Sequence, residues 1–99
     1  MPQFLVEYRD VGTSEERARL REEHIAFRKG LGGAIALAGP ILDDDGNANG
    51  SLIILEAPDR ASAEELASRD PYLTAGVLQM TSVRGYRIAA MKPPAPTPT

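Results

Sequence analysis

The residue in this sequence best suited to proton transfer is its only histidine, His24. Histidine side chains ionise closer to neutral pH than any other type, with an ordinary pKa of about 6.5. His24 shares the i, i+4, i+7, i+11 spacing of one helical face, predicted to point at the core, with three apolar residues: Leu20, Phe27 and Leu31. A lone histidine on such a face is more often a hydrogen-bonded core residue than a catalytic one, so both interpretations stay open.

Asp70 is the carboxylate that could act with this histidine. It is predicted at the C-terminal end of a second helix, where the helix dipole disfavours a negative charge, and Pro71 follows it. Asp-Pro is also a common turn opener, so a simple helix stop is an equal alternative. A carboxylate that accepts one imidazole N–H would orient the ring, stabilise its charged form and leave the other nitrogen free to move a proton. Sequence spacing alone does not establish that His24 and Asp70 meet.

A third group of polar residues resembles a calcium loop. The stretch DGNANGSLIILE (45–56) matches the EF-hand template at every specified position: Asp45, Asn47, Asn49, Gly50 and Glu56. An EF-hand needs a helix on each side of its loop, whereas glycine and proline precede this stretch and a run of β-favouring aliphatic residues follows it. Asp, Asn and Gly are equally suited to a turn between two strands. We therefore predict a hairpin loop, and calcium binding by the acidic and amide side chains of 43–47 remains a minor alternative.

The elements that must position these residues follow a β-α-β-β-α-β order. We predict a strand at 3–9, a helix at 14–29 and an extended segment at 33–42 that is interrupted by Pro40. These are followed by a strand at 51–57, a helix at 60–70, a helical turn at 71–77 and a last strand at 79–90. Thr13 and Glu16 form a capping-box pattern before the first helix. The order indicates a ferredoxin-like α+β sandwich, with a four-stranded antiparallel sheet and helices on one face. Aliphatic residues on both faces of 51–57 indicate that the open face is buried by sheet-on-sheet dimerisation.

Composition and charge narrow the functional classes. The chain has 99 residues, enough for one domain, with 42% hydrophobic and 25% charged residues. Its net charge of −3 argues against nucleic acid, which needs a basic face. The lack of cysteines excludes disulfides, thiolate metal sites and cysteine nucleophiles, and suits a reducing compartment. Neither a secretory signal nor an apolar run of the ~20 residues that span a bilayer is recognised. We expect a cytoplasmic protein with one domain over 1–92 and a disordered, proline-rich tail over 93–99.

Several motifs together resemble the YciI-related (YCII) family. They are Arg21-x-x-His24, AGP at 38–40, a hairpin carrying DG, GS at the start of the next strand, and DPYLTAGV at 70–77. The resemblance covers the chain from the first strand to the last and leaves out the proline-rich end. It implies a ferredoxin-like fold that forms dimers, related to the dimeric α/β-barrel proteins. It also implies a His–Asp pair in a pocket, which corresponds here to His24 and Asp70, and it requires no metal or organic cofactor. A few members act on small ring compounds by elimination or isomerisation.

The leading hypothesis is therefore a small-molecule enzyme of the YciI type, a lyase, isomerase or hydrolase-like protein of unknown substrate. His24 would act as general acid and base, with Asp70 orienting it or acting as a second base. Candidate pocket-lining residues are Gly39, Pro40, Pro71 and Tyr72, although turn formation and core packing explain the glycine and prolines equally simply. The alternative is a non-catalytic dimeric module that binds a small ligand or serves as an accessory subunit. That alternative predicts a His–Asp pair closed off from any cavity.

Overall fold

The chain folds into one four-stranded antiparallel sheet with helices packed on one face. In a computed structural model that describes residues 1–92, the elements are β1 (Gln3–Asp10), α1 (Ser14–Gly30), a 3-10 turn (Gly32–Ala34), β2 (Ile35–Leu42), β3 (Ala48–Glu56), α2 (Arg60–Ser68), α3 (Pro71–Thr74) and β4 (Leu78–Tyr86). The strand order is β2-β3-β1-β4, and every pair is antiparallel. The predicted ferredoxin-like α+β fold is confirmed. The predicted proline-rich tail, 93–99, lies outside the described residues.

The core lies between the sheet and the helices. Strand alternation directs Phe4, Val6 and Tyr8 of β1 to the helix face, where all three are buried. The register pairs Val6 with Ile53 of β3, and both are fully buried. Burial of an aliphatic side chain of this size contributes about 1.5–3 kcal/mol. Helix α2 adds two buried alanines to the same cluster and α3 adds Tyr72, so the helices and the sheet share one core.

Helix α1 begins with the capping box predicted from the sequence. The Thr13 hydroxyl accepts from the Glu16 backbone N–H at 3.1 Å, and the Glu16 carboxylate accepts from the Thr13 backbone N–H at 3.1 Å. Leu20 and Leu31 pack against the core as expected. None of the 17 residues of α1 is fully buried, however, because a cavity separates part of this helix from the sheet.

Several segment predictions differ from the structure. The last strand, predicted over 79–90, spans Leu78–Tyr86. Residue Pro40 does not interrupt β2, because this strand lies at the edge of the sheet, where a missing backbone N–H is tolerated. The helix predicted over 60–70 ends at Ser68, and α3 begins immediately afterwards. Among residues 1–92, no helix could span a membrane.

Candidate active site

The carboxylate of Asp70 lies at the centre of a buried polar cluster. Its Oδ1 atom lies 2.8 Å from Nδ1 of His24 and accepts from the Tyr72 backbone N–H at 2.9 Å. Its Oδ2 atom accepts from Nε of Arg28 at 3.1 Å. An ionised carboxylate can only accept, so Nδ1 of His24 carries a proton. The fold thus brings together the two predicted residues, which are 46 positions apart, and adds an arginine to them.

The position of Asp70 corrects one argument made from the sequence. Asp70 does not end α2; it is the N-cap of α3, with Pro71 at the first helical position. A carboxylate is favoured there, since it accepts a backbone N–H and complements the helix dipole. The prediction that the dipole disfavours Asp70 is wrong, because Pro71 starts a new helix. Capping therefore explains one of the interactions of Asp70, while the contacts with His24 and Arg28 need another explanation.

The surroundings of Asp70 hold it in its charged form. Burial alone would raise its pKa, but other interactions outweigh it and hold the pKa below the ordinary value. They are the hydrogen bonds from His24 and the Tyr72 N–H, the charge that His24 carries when it is protonated, and the charge of Arg28. The residue is fully buried, so solvent hardly screens these interactions. Asp70 is consequently a permanent negative charge beside the imidazole at neutral pH.

Tyr72 fixes the plane of the imidazole. Its ring stacks on that of His24, with 3.9 Å between centroids and 3° between planes. The hydroxyl of Tyr72 donates to the backbone carbonyl of Arg17 in α1 at 2.9 Å. Tyr72 therefore connects α3 to α1 and covers one face of the His24 ring. Among residues 1–92, nothing forms a hydrogen bond with Nε2 of His24, which leaves this nitrogen available to a ligand.

Arg28 is a part of the site that sequence reasoning did not identify. Its guanidinium carbon lies 5.4 Å from the centroid of the Tyr8 ring, within the range of a cation–π contact. Burial raises the pKa of Tyr8 to about 12, so its hydroxyl stays protonated. Within residues 1–92, the Tyr8 hydroxyl and Nη2 of Arg28 are buried without a hydrogen-bond partner. The one available signal was the i+4 spacing between His24 and Arg28, which places both on the same helical face.

His24 lines a cavity of about 700 Å³ between α1 and the β2–β3 half of the sheet. Of the predicted pocket residues, Gly39, Pro40 and Tyr72 also line this cavity, whereas Pro71 does not. The His24 side chain is 18% exposed, and that of Asp70 only 1%. The imidazole thus separates the buried carboxylate from the cavity.

Small residues in the two strands below α1 create this space. The register places Ala38 beside Ile53 and Pro40 beside Ser51, all on the helix face of the sheet. Gly50 lies in the same wall of the cavity, and a Cβ atom there would lie 2.4 Å from the Tyr8 carbonyl oxygen. Ala38, Pro40, Gly50 and Ser51 line the cavity and are too short to reach α1. The cavity is therefore retained where a large aliphatic side chain would fill it.

The acidic segment 43–47 is the loop of a β-hairpin. It joins β2 to β3, so the helices that an EF-hand requires are replaced by strands. Asp43 uses Oδ1 to accept from the backbone N–H groups of Asp45 at 3.0 Å and Asn47 at 2.9 Å. Gly46 has a φ of 85°, which favours glycine. Over the described range 1–92, His, Cys, Asp and Glu form no group of three that could hold a metal ion.

Comparison with known proteins identifies a family and a similar solved structure. The model of the YCII-related domain matches residues 1–87. Among solved structures, the chain is similar to 5-chloro-2-hydroxyhydroquinone dehydrochlorinase (TftG) from Burkholderia phenoliruptrix AC1100, determined in complex with 2,5-dihydroxybenzoquinone. The two share 26% sequence identity, with a TM-score of 0.67, over 86% of this chain and 91% of the other. A search of curated proteins finds no match.

Proposed function

From the premise that this chain belongs to the YCII-related domain family, we propose that it is a small-molecule enzyme that uses His24 as general acid and base. The similar solved structure is that of a dehydrochlorinase, an enzyme of the lyase type, bound to a small ring compound. That likeness supports an activity of the YciI type in general. The substrate and the roles of individual residues are our proposal.

The proposal of a catalytic His24 depends on one observation: the imidazole is held by Asp70 at Nδ1 and lines the cavity. The alternative, a non-catalytic binding or accessory module, predicted a pair closed off from any cavity. A neutral imidazole with its proton on Nδ1 has a basic Nε2 nitrogen. Asp70 would orient the ring and stabilise the imidazolium that forms when Nε2 takes a proton. Arg28 would be a positioning residue that acts through Asp70.

The proposed chemistry is elimination or isomerisation. Nε2 of His24 removes a proton from a ring compound in the cavity. In elimination, the electron pair of the broken C–H bond forms a double bond, and the neighbouring leaving group departs with its own pair. In isomerisation, the double bond shifts and the imidazolium returns the proton at another carbon. Neither sequence of steps requires an oxidant or a reductant.

The test is turnover with and without the imidazole. A panel of chlorinated hydroxyhydroquinones, hydroxyquinones and unsaturated lactones would be screened by ultraviolet absorbance and chloride release. We expect His24→Ala to lower the rate by about 100-fold or more, the usual contribution of a general acid–base group. Glu23→Gln, at an exposed position of the same helix, is the matched control. Turnover that survives in His24→Ala would end the catalytic proposal, whereas binding without turnover in the wild type would favour the module.

We also propose that the enzyme is a homodimer, as the family resemblance implies, and that it is cytoplasmic, an expectation to which the lack of cysteines contributes. The sheet face opposite the helices carries apolar residues at its β2–β3 side, and Leu37 and Ile41 there are 42% and 36% exposed. A second copy packed on this face would remove them from water. Sedimentation should give a dimer for the wild type and a monomer for Leu37→Asp. A monomeric wild type at micromolar concentration would contradict this proposal.

A further inference from the structure

The cavity is positively charged in a protein whose net charge is negative. Three arginines line it, namely Arg17, Arg21 and Arg28. Two carboxylates oppose them, that of Asp10 in the lining and that of Asp70, which is paired with Arg28 behind the imidazole, so an excess of one positive charge remains. The chain as a whole carries a formal charge of −3. Low-dielectric walls concentrate the field of such a cluster within a cleft. The local potential therefore favours anions although the protein as a whole repels them.

The arginines belong to the same face of α1 as the histidine. Arg17, Arg21, His24 and Arg28 follow one another at intervals of four, three and four residues, which is the period of one helical face. This face borders the cavity, whereas the apolar residues Leu20 and Leu31 contact the core. A molecule that occupies the cavity beside His24 therefore shares it with the arginine side chains that line it.

Two of the three arginines already have partners in the fold. Nη1 of Arg17 donates to the Gly12 carbonyl at 3.1 Å, and Nε of Arg28 donates to Asp70 at 3.1 Å. The side chain of Arg21 takes part in no hydrogen bond or ion pair formed by residues 1–92 and is exposed. Arg21 is also the arginine of the Arg21-x-x-His24 motif, and neither capping nor core packing explains it.

We propose that the cavity binds its substrate as an anion, a small ring compound with at least one ionised oxygen, and that Arg21 binds this oxygen. This inference rests on the function proposed above for the same site. A guanidinium presents several N–H donors in a planar arrangement that suits carboxylates and delocalised oxyanions such as phenolates and enolates. The volume of about 700 Å³ is that of an ordinary small-molecule site.

The charge is also useful to the proposed reaction. Removal of a proton by His24 leaves an electron pair on the substrate, and a ring oxygen conjugated with that carbon receives part of the negative charge. A guanidinium bound to this oxygen stabilises that charge as it develops. Arg21 would then be a specificity-determining residue, since a neutral analogue of the same size would lose this interaction.

Calorimetry with two probes of similar size tests the inference. The probes are 2,5-dihydroxybenzoquinone, a vinylogous acid that is ionised at neutral pH, and uncharged hydroquinone. We expect the wild type to prefer the anion by at least about 10-fold, and Arg21→Gln to weaken its binding by roughly 10- to 100-fold, the effect of losing one charge-assisted hydrogen bond. Binding of hydroquinone should not change. Arg19→Gln removes the same charge from an exposed position of α1 that does not line the cavity, and should change either affinity by less than about 2-fold.

Four results would overturn the inference. They are equal affinity for the two probes, an Arg21→Gln protein that binds the anion as the wild type does, no binding of the anion at millimolar concentration, and an equal loss of affinity in Arg19→Gln. An equal loss of affinity in Arg19→Gln would show that the anion responds to the overall charge of α1 and not to a contact with Arg21. The same titration of His24→Ala separates this inference from the proposed function. Wild-type affinity in that variant, together with undiminished turnover, would remove the catalytic role of His24 and leave the anion site in place.

Discussion

The imidazole of His24 lies flat against the phenol ring of Tyr72, with 3.9 Å between their centroids and 3° between their planes. Tyr72 also donates its backbone N–H to Asp70 and its hydroxyl to the Arg17 carbonyl. One residue of α3 thus restrains both members of the His–Asp pair and attaches them to α1. The orientation of the imidazole depends on a ring contact as well as on a hydrogen bond.

Substitution of Tyr72 should separate these two contributions. Tyr72→Phe keeps the ring and loses the hydroxyl bond to Arg17, so we expect a loss of about 1 kcal/mol in the free energy of unfolding and little change in kcat. Tyr72→Leu also removes the stacked ring, and we expect kcat to fall about 10-fold further because His24 can then rotate. Urea unfolding and steady-state kinetics on the substrate found by screening would measure both. Equal kcat values for the two variants would show that stacking does not orient His24.

Asp70→Asn should impair catalysis while retaining the start of α3. Asparagine is as good an N-cap as aspartate, so its Oδ1 atom can still accept the Tyr72 N–H. The same oxygen contacts Nδ1 of His24, so the amide nitrogen takes the place of Oδ2 and faces Nε of Arg28, a donor against a donor. The imidazole also loses the negative charge that would stabilise its protonated form. We expect kcat to fall by about 100-fold or more. Steady-state kinetics measures this loss, and an unchanged kcat in Asp70→Asn would refute the role of the carboxylate.

The depressed pKa of Asp70 predicts a contribution to stability that acid removes. The unfolded chain, where the pKa takes its ordinary value of 3.8, binds this proton more readily than the folded protein does. The contribution is therefore present in full above that value and is lost as the pH falls through the lower folded-state pKa. Asp70→Asn should flatten this part of the curve of unfolding free energy against pH. Asp44→Asn, at an exposed loop position, should leave it unchanged; identical acid limbs for Asp70→Asn and the wild type would contradict the prediction.

Arg28→Gln should destabilise the fold more than loss of an exposed arginine. The hydrogen bond from Arg28 to the buried carboxylate is charge-assisted, and its removal should cost roughly 1.5–3 kcal/mol in unfolding free energy. Without this cation, the pKa of Asp70 rises, and acid unfolding should begin at a higher pH. Arg69→Gln breaks an exposed ion pair with Glu65 and should cost at most about 0.5 kcal/mol. Similar losses from both substitutions, measured by denaturant titration, would rule out the role assigned to Arg28.

Gly50→Ala should destabilise the sheet below the cavity. Its Cβ would lie 2.4 Å from the Tyr8 carbonyl oxygen, a backbone atom that cannot move without disturbing the β1–β3 ladder. We expect a loss of about 1–3 kcal/mol, as for other overpacked positions. Gly85→Ala is the control, since nothing lies within 4 Å of a Cβ at that strand position. Thermal melts of the two variants should differ clearly, and equal melting temperatures would contradict the close approach.

Most of the fold could be predicted from local patterns. Alternation in β1, the Thr13–Glu16 capping box and the aliphatic run of β3 act over a few residues, so the sequence reveals them directly. The rejection of an EF-hand followed from the residues that flank the loop. Pro40 was misread because its effect depends on whether β2 lies at the edge or the centre of the sheet. That property belongs to the assembled sheet and not to the segment.

The sequence by itself determined the helices and strands, their order and the two residues able to exchange or hold a proton. Only the tertiary structure decided that His24 and Asp70 are in contact and that Arg28 binds the carboxylate. It also decided that small residues of β2 and β3 leave a cavity beneath α1. The physical reason is range. Propensity, capping and periodicity act between neighbours along the chain, whereas a hydrogen bond across 46 residues and an unfilled space exist only after distant segments pack together.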